Sequence, residues 1–279
     1  MGTRQNLTSK LAPVELHRDD CLSVFSAIPD GSVELVIADL PYGVTGCHWD
    51  SKIDLVAFWV EVRRILSPLG TVLMFGTQPF SSELIVSNPA WFSHELIWQK
   101  SKPTLFQFCR QRHLSEHENI LVFTPGVVVG KHRSDRQMTY NPQGLTKLAK
   151  PVVRKARTLG ANMSKTRLKG STQKWTNFPR SILEYASVAK PTHETEKPVE
   201  LLRYLIRTFS NEGETVLDPT MGSGSTGEAA VHEARNFVGS EMDADFFARA
   251  AQRVRKATDA LALARNAMPA PGYNPTSPL

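Results

Sequence analysis

Four consecutive residues following an apolar run combine an acid, a stiff backbone and an aromatic ring: Asp39, Leu40, Pro41 and Tyr42 in "VELVIADLPY". An exocyclic amine on a nucleic-acid base is a poor nucleophile because its lone pair is delocalised into the ring. A carboxylate at Asp39 and the backbone carbonyl of Leu40 can accept both of its N–H hydrogens and favour a more tetrahedral, reactive nitrogen. Pro41 fixes its own φ and drives residue 40 towards an extended conformation, which holds those acceptors. Tyr42 adds a ring on which a base taken out of its helix can stack.

A second constellation lies far away in the chain. "VLDPTMGSGSTGEAA" sets Gly222, Gly224 and Gly227 in a G-x-G-x-x-G pattern between a strand signal and a helix signal. Glycines permit close approach of backbone to a ligand, and a helix start offers free N–H groups. Glu241 follows Gly224 by seventeen residues, a spacing at which an acid can accept from ribose hydroxyls. No Lys-Ser or Lys-Thr follows the glycines, which disfavours a Walker-type site. A dinucleotide dehydrogenase and an S-adenosylmethionine enzyme remain. A dinucleotide fingerprint usually opens its domain, whereas this one lies near the end. Asp218 beside the turn also suits a zwitterionic amino acid better than a pyrophosphate.

The elements that must hold these residues read as two blocks of alternating strand and helix. Strand signals fall at 14–17, 33–38, 71–76, 95–100 and 118–123, with a helix over 54–66. In the second block Val199, Leu202, Leu205, Ile206 and Phe209 take helical spacing within 196–210. Strands at 214–219 and 236–241 then flank a helix over 227–235. Short apolar runs separated by helical periodicity imply an α/β fold with a parallel sheet and crossover helices.

Between the blocks the composition changes. Residues 131–180 carry thirteen Lys or Arg and one acid, Asp135. That segment is near +12 in a chain whose total is +6, so the remainder is net acidic. Clustered cations displace condensed counterions from nucleic acid, so a duplex-tracking surface is expected from Lys131, Arg133, Arg136, Lys147, Arg154, Lys155, Arg157, Lys165, Arg167 and Lys169. The expected organisation is a catalytic half at 1–130, the basic insertion at 131–180, a cofactor half at 181–262 and a disordered tail rich in Pro and small residues at 263–279.

Three cysteines without CxxC spacing indicate neither a disulfide framework nor a Cys-rich zinc site, and a reducing compartment fits. Cys109, His113 and His117 share four-residue spacing, but no fourth ligand is apparent and His117 opens a strand-like run; a histidine in the core or at an active-site rim is the preferred reading, with no metal expected. The start lacks the apolar stretch of a signal peptide and no run is long enough to span a bilayer, so a soluble cytoplasmic protein is expected.

The order and content of these motifs resemble the β class of amino-methylating DNA methyltransferases, most closely the compact DNA methylases of phages and prophages. "DLPYGVTGCHWD" is similar to their D-P-P-Y-G motif with its trailing W-D. "HETEKPVELLRYLI" resembles their cofactor helix H-P-T-Q-K-P-x-x-L, and "DPTMGSGSTG" followed by "GSEMD" resembles their cofactor turn and ribose acid. "WQK", "HENILVF", "YNPQ" and "FPRSIL" follow in the same order, so similarity runs from about 14 to 255. The resemblance implies a Rossmann-like methyltransferase fold with a circularly permuted motif order and a seven-stranded, mostly parallel sheet with one antiparallel strand.

It further implies S-adenosyl-L-methionine as cofactor, double-stranded DNA as partner and, in many relatives, a homodimer. Asp39 and the Leu40 carbonyl would hold the amine, Pro41 stiffen them and Tyr42 stack. Asp218, Pro219, Thr220, Gly222, Ser223, Gly224, Ser225 and Thr226 would cradle the methionine part of the cofactor, flanked by Lys197 and Pro198, with Glu241 on the ribose and Asp20 near the adenine ring. Methyl transfer would be direct, without a covalent enzyme intermediate. Asp at the first motif position favours adenine-N6 over cytosine-N4, where Ser is commoner. Two departures from the pattern, Leu40 for Pro and Glu196 for Gln, are the only features that suggest a DNA-binding relative with a degenerate site.

Overall fold

A computed structural model describes residues 2–7, 13–42, 52–126, 137–155, 157–158, 167–168, 170–191 and 196–266. It divides into two compact units, one formed by 1–140 with 181–279 and the other by 141–180. In chain order the first unit begins β1 (Thr3–Leu7), β2 (Val14–Arg18), α1 (Cys21–Phe25), β3 (Val33–Ala38), α2 (Leu55–Ile65) and β4 (Leu66–Gly76). It continues α3 (Phe80–Ser87), β5 (Phe92–Thr104) and β6 (Ser115–Phe123). The second unit holds β7 (Thr146–Arg154), β8 (Arg157–Thr158), β9 (Arg167–Leu168) and β10 (Ser171–Thr176). The first unit then resumes with β11 (Ile182–Glu184), α4 (Val199–Phe209), β12 (Thr215–Asp218), α5 (Ser225–His232), β13 (Asn236–Ser240) and α6 (Ala244–Asn266).

The main sheet has nine strands in the order β1-β2-β13-β12-β3-β4-β6-β5-β11. Neighbours pair in parallel from β2 through β4, while β6 runs antiparallel to both β4 and β5. The seven strands from β2 to β5 are those the resemblance implies, with β6 as the reversed one. Two edge strands extend the expected sheet: β1, antiparallel to β2, and β11, parallel to β5.

Strand β3 shows why the sequence folds this way. Its run from Leu35 to Ala38 is apolar at successive positions because both faces are covered. Leu35 and Ile37 face one core shared with α4, α5 and α6, whereas Val36 and Ala38 face another shared with α1, α2 and α3. Helix α2 starts where the Asp54 carboxylate accepts from the N–H groups of Val56 and Ala57, and it buries Phe58, Trp59, Val62 and Ile65. Helix α4 buries Leu202, Leu205, Ile206 and Phe209 as the spacing requires, and Leu201 besides; Val199 is only half-buried.

Four features depart from the expectations. Strand β4 starts five residues before 71, and β5 runs from Phe92 to Thr104 instead of 95–100. The 23-residue α6, which covers α5, continues to Asn266, past the expected start of the tail at 263; residues 267–279 lie outside the described residues. The second unit begins at Asn141, not at 131. Met138 is buried in the main core, the Thr139 N–H donates to the Leu69 carbonyl, and the Tyr140 ring lies 6.1 Å from that of Phe209. Among the described residues no helix is long and apolar enough to cross a membrane.

Within the second unit β7 and β10 form an antiparallel ribbon, and β8 and β9 a two-residue pair. None of its described residues is buried.

Candidate active site

The two motifs meet because β12 and β3 are neighbours. Leu35 pairs with Val216 and Val36 with Leu217, so both chains leave the sheet side by side at its carboxyl edge. From there β12 leads through α5 to β13 on one side, and β3 leads through α2 to β4 on the other, which opens a crevice at the switch in strand order. A hydrogen bond closes the junction: the Thr220 hydroxyl donates to the backbone carbonyl of Asp39 at 3.0 Å.

Asp39 is held through both carboxylate oxygens. The Tyr42 hydroxyl donates to Oδ1 at 3.1 Å, and Lys197 Nζ donates to Oδ2 at 2.5 Å. Lys197 is buried, lies 5.0 Å from the Phe75 ring centroid and stands 3.4 Å from Glu118 Oε2, while Glu118 also pairs with Lys100. Burial alone would lower the Lys197 pKa, but the carboxylates of Asp39 and Glu118 outweigh it and hold the ammonium above its ordinary value. Burial likewise pushes Glu118 up, and Lys197 and Lys100 overcome it to leave its carboxyl below the usual range. The result is a chain of alternating charges, Asp39, Lys197, Glu118, Lys100, running from the crevice into the β5–β6 pair.

Leu40 stands where the resembled motif has its first proline, and its side chain is 2 % exposed, packed in the core that covers α1 to α3. Apolar anchoring thus restrains a position where a second proline would otherwise do so. The Tyr42 ring lies 4.7 Å from that of Phe80, tilted by 34°, and also lines the crevice. The "GVTGCHWD" continuation, 43–50, lies outside the described residues.

The glycine turn shapes the other half. Gly222, at φ 47°, donates its N–H to Glu241 Oε2 at 3.0 Å, and Glu241 Oε1 accepts from the Asp243 N–H at 2.8 Å. Burial raises the Glu241 pKa against those amides. Asp218 accepts from the Thr220 N–H at 3.1 Å and from the Thr226 hydroxyl. Burial pushes its carboxyl up to about 7, aided by the neighbouring charges of Asp39 and Glu241. Asp20 Oδ1 caps α1 by accepting from the Leu22 N–H.

Together these groups line a cavity of about 660 Å³. Asp39, Leu40, Pro41, Tyr42, Asp20, Lys197, Asp218, Pro219, Thr220, Gly222, Ser223, Ser225, Thr226 and Glu241 all contribute to its wall. Two expected residues do not. Pro198 is the buried residue that precedes α4. Gly224, at φ 76°, faces α6: a Cβ there would come 2.8 Å from the Ala250 backbone. Its lack of a side chain is required by the packing of α6 against the turn. Lys197, expected beside the cofactor, has its ammonium on Asp39.

The wall carries eight carboxylates, including Asp20, Asp218 and Glu241, against two lysines, Lys52 and Lys197. Such a donor set suits a cationic ligand with hydroxyls and opposes a pyrophosphate. Further wall residues not singled out by sequence are Phe75, Met221 and Phe246. Phe246 follows Asp243, whose carboxylate caps α6, and that Asp-x-x-Phe spacing after the ribose acid is the signal that could have revealed it. Glu196, the departure from Gln, is 2.7 Å from Arg253, which also pairs with Glu228 at 2.5 Å. An arginine on α6 thus satisfies the extra charge.

Of the residues expected to track DNA, Lys147, Arg154 and Lys155 are exposed in the second unit. Arg157 and Arg167 are described only as backbone of the β8–β9 pair; Lys131, Arg133, Arg136, Lys165 and Lys169 lie outside the described residues. Cys109, His113 and His117 are all exposed, which corrects the core placement considered for these histidines; rim placement remains for the hairpin that carries them.

Comparison with known proteins adds three findings. Residues 33–252 match the profile of a DNA methylase family of the N6/N4 methyltransferase type. The chain is 25% identical over 246 residues to the type II methyltransferase M1.MboII of Moraxella bovis, covering 83% of this chain and 93% of that protein. Among solved structures, that of M1.HpyAVI with S-adenosylmethionine superposes with a TM-score of 0.57 at 20% identity, over 86% of this chain and 99% of the other. The cytosine-N4-specific PvuII DNA methyltransferase gives 0.59 at 14% identity, over 91% and 93%.

Proposed function

This chain belongs to the N6/N4 DNA methylase family and uses S-adenosylmethionine, and on that premise we propose that it methylates the N6 amine of adenine in double-stranded DNA. The carrying observation is the junction in which Asp39, fixed by Tyr42 and Lys197, faces the same acid-lined cavity as Asp218 and Glu241.

The wall fits the cofactor's chemistry. Asp218 suits the cationic amino group, Glu241 the ribose hydroxyls, and the excess of carboxylates a positively charged sulfonium. When bound, S-adenosylmethionine supplies an electrophilic methyl group. The chain's own residues do the rest. Lys197 holds Asp39 Oδ2 and the Tyr42 hydroxyl takes one lone pair of Oδ1; the other lone pair of Oδ1 and the Leu40 carbonyl are the acceptors for the two amine hydrogens. Accepting both favours a nitrogen whose lone pair is free to attack. The nitrogen sheds one proton as it gains the methyl, and Asp39 is the base in contact with that N–H. Tyr42, backed by Phe80, offers its ring to the extruded base.

Asp at the first motif position supports adenine in this reading. The basic segment from 131 to 180 supports a duplex substrate, with Lys147, Arg154 and Lys155 among its phosphate-binding cations. Incubation with plasmid DNA and methyl-labelled cofactor, followed by digestion to nucleosides, is expected to place the label in N6-methyladenine. Label in N4-methylcytosine would overturn the choice of base, and label in neither would overturn the activity.

A further inference from the structure

Strands β5 and β6 continue past the rest of the sheet. Gly76 at the end of β4 pairs with Asn119, and β11 stops pairing at Gln99. Beyond those points Thr104 and Ser115 pair only with each other within the sheet. Four residues from Asn119 to Ser115 carry the hairpin about 14 Å outward at a strand's rise per residue. Because β5 runs parallel to β3, the hairpin leaves the sheet at the carboxyl edge, the edge that holds Asp39.

Its tip has an unusual surface. Phe106 is 74% exposed and Phe108 39%, on a single turn entered through Leu105 in the left-handed region, φ 64°. A leucine held there marks a locally strained backbone, a feature that concentrates at functional sites. From 100 to 115 the chain carries Lys100, Lys102, Arg110 and Arg112 and no acid. Lys102, Arg110 and Arg112 are exposed, and none forms an ion pair among the described residues. Two outward rings among unpaired cations match the two chemistries of nucleic acid, stacked bases and phosphates.

We infer that the β5–β6 hairpin is a second DNA-contacting element, distinct from the basic segment, with Arg110 and Arg112 on phosphates and Phe106 against the base stack next to the extruded base. The base of this arm carries Glu118 and Lys100, the outer half of the charge chain that ends on Asp39. Contact at the tip therefore lies one continuous element away from the pair that holds the reacting amine.

The inference rests on the reading of the chain as a DNA methyltransferase, and one experiment separates the two. Binding of a fluorescent 30-base-pair duplex is measured by anisotropy against salt, with cofactor present, for wild type, Phe106→Ala and the double variant Arg110→Ala/Arg112→Ala. Each lost phosphate contact lowers the slope of log affinity against log salt by about 0.9, so the double variant is expected to lose about 1.8. Loss of one ring from a base stack is expected to weaken binding about tenfold. Cofactor affinity, measured in parallel by calorimetry, is expected to stay unchanged in every variant. Wild-type slope and affinity in both variants would overturn the hairpin's role while leaving the enzyme's activity standing. A change of Phe106→Ala from dimer to monomer in sedimentation would overturn it too, by assigning the tip to a contact between two copies. Wild-type protein that neither binds nor methylates DNA would overturn both readings.

Discussion

Lys197 Nζ lies 2.5 Å from Asp39 Oδ2, joining residues 158 positions apart in the chain. The contact joins the Lys197-Pro198 motif to the Asp39-Tyr42 motif and gives Lys197 a partner that its neighbourhood in sequence does not reveal. Its ammonium serves two carboxylates, Asp39 and Glu118, in a region where an uncompensated charge is expensive.

Lys197→Met should therefore harm both stability and turnover. Leaving two carboxylates without their shared cation costs about 3 kcal/mol, or roughly 6–12 °C in Tm for a unit of this size. Turnover is expected to fall more than tenfold while the KM for cofactor changes less than threefold. A large rise in cofactor KM with kcat preserved would return Lys197 to the cofactor.

Tyr42 combines two functions that substitution can separate. Tyr42→Phe keeps the ring against Phe80 and loses the hydroxyl on Asp39 Oδ1. It is expected to lower kcat by about ten- to a hundredfold, the worth of one hydrogen bond to a charged group, with the KM for DNA nearly unchanged. Tyr42→Ala should lower kcat/KM for DNA by a further tenfold or more. Equal effects of the two variants would exclude a stacking role.

Asp218 makes cofactor binding depend on pH. Folded, it keeps its proton up to about pH 7; unfolded, only to about 3.8. The folded state thus binds the extra proton between those values, so this group's contribution to stability falls as pH rises from about 4 to 7 and stays lost above. Asp218→Asn removes that cost and should stabilise the free protein at pH 8 by on the order of 4 kcal/mol, seen as a higher Tm. A cationic ligand favours the ionised form, so wild-type affinity for S-adenosylmethionine should rise from pH 5.5 to 7. In Asp218→Asn it should be weak and flat over that range. A wild-type titration with no slope would remove Asp218 from the cation's surroundings.

Gly224→Ala tests the packing assignment. The added Cβ meets the Ala250 backbone at 2.8 Å in a conformation that L side chains rarely adopt, and a cost of about 2–4 kcal/mol follows from strain and overpacking. Loss of stability without any change in cofactor affinity, measured well below Tm, is the expected result; lost affinity with unaltered Tm would make Gly224 a ligand-facing residue.

Legibility in the sequence follows the physics of each element. Strand β3 matches "VELVIA" residue for residue because a strand buried on both faces leaves a nearly continuous apolar run, interrupted here by the half-buried Glu34. Helix α6 leaves a weaker trace, since much of its buried face is alanine, at Ala250, Ala251 and Ala257, which contributes little contrast. Strand β5 outruns its apolar core because its end is exposed: past an irregularity after Gln99, Thr104 rejoins the ladder by pairing with Ser115, without burial to leave an apolar trace. Motif residues that reach the cavity wall through local backbone, such as Asp218 and Gly222, can be read from spacing alone. Lys197, Glu118 and Gly224 cannot, because their partners sit on elements distant in the chain and only the tertiary fold chooses them.

The central proposition is that Asp39 grips the reacting amine from within the cofactor's own cavity. Its most direct test is the single-turnover rate of Asp39→Ala on DNA with saturating labelled cofactor, alongside its affinity for each partner. The expected result is a rate at least a thousandfold lower, about 4 kcal/mol of barrier, with DNA and cofactor affinities within about threefold of wild type. A variant that transfers methyl groups at the wild-type rate would contradict it.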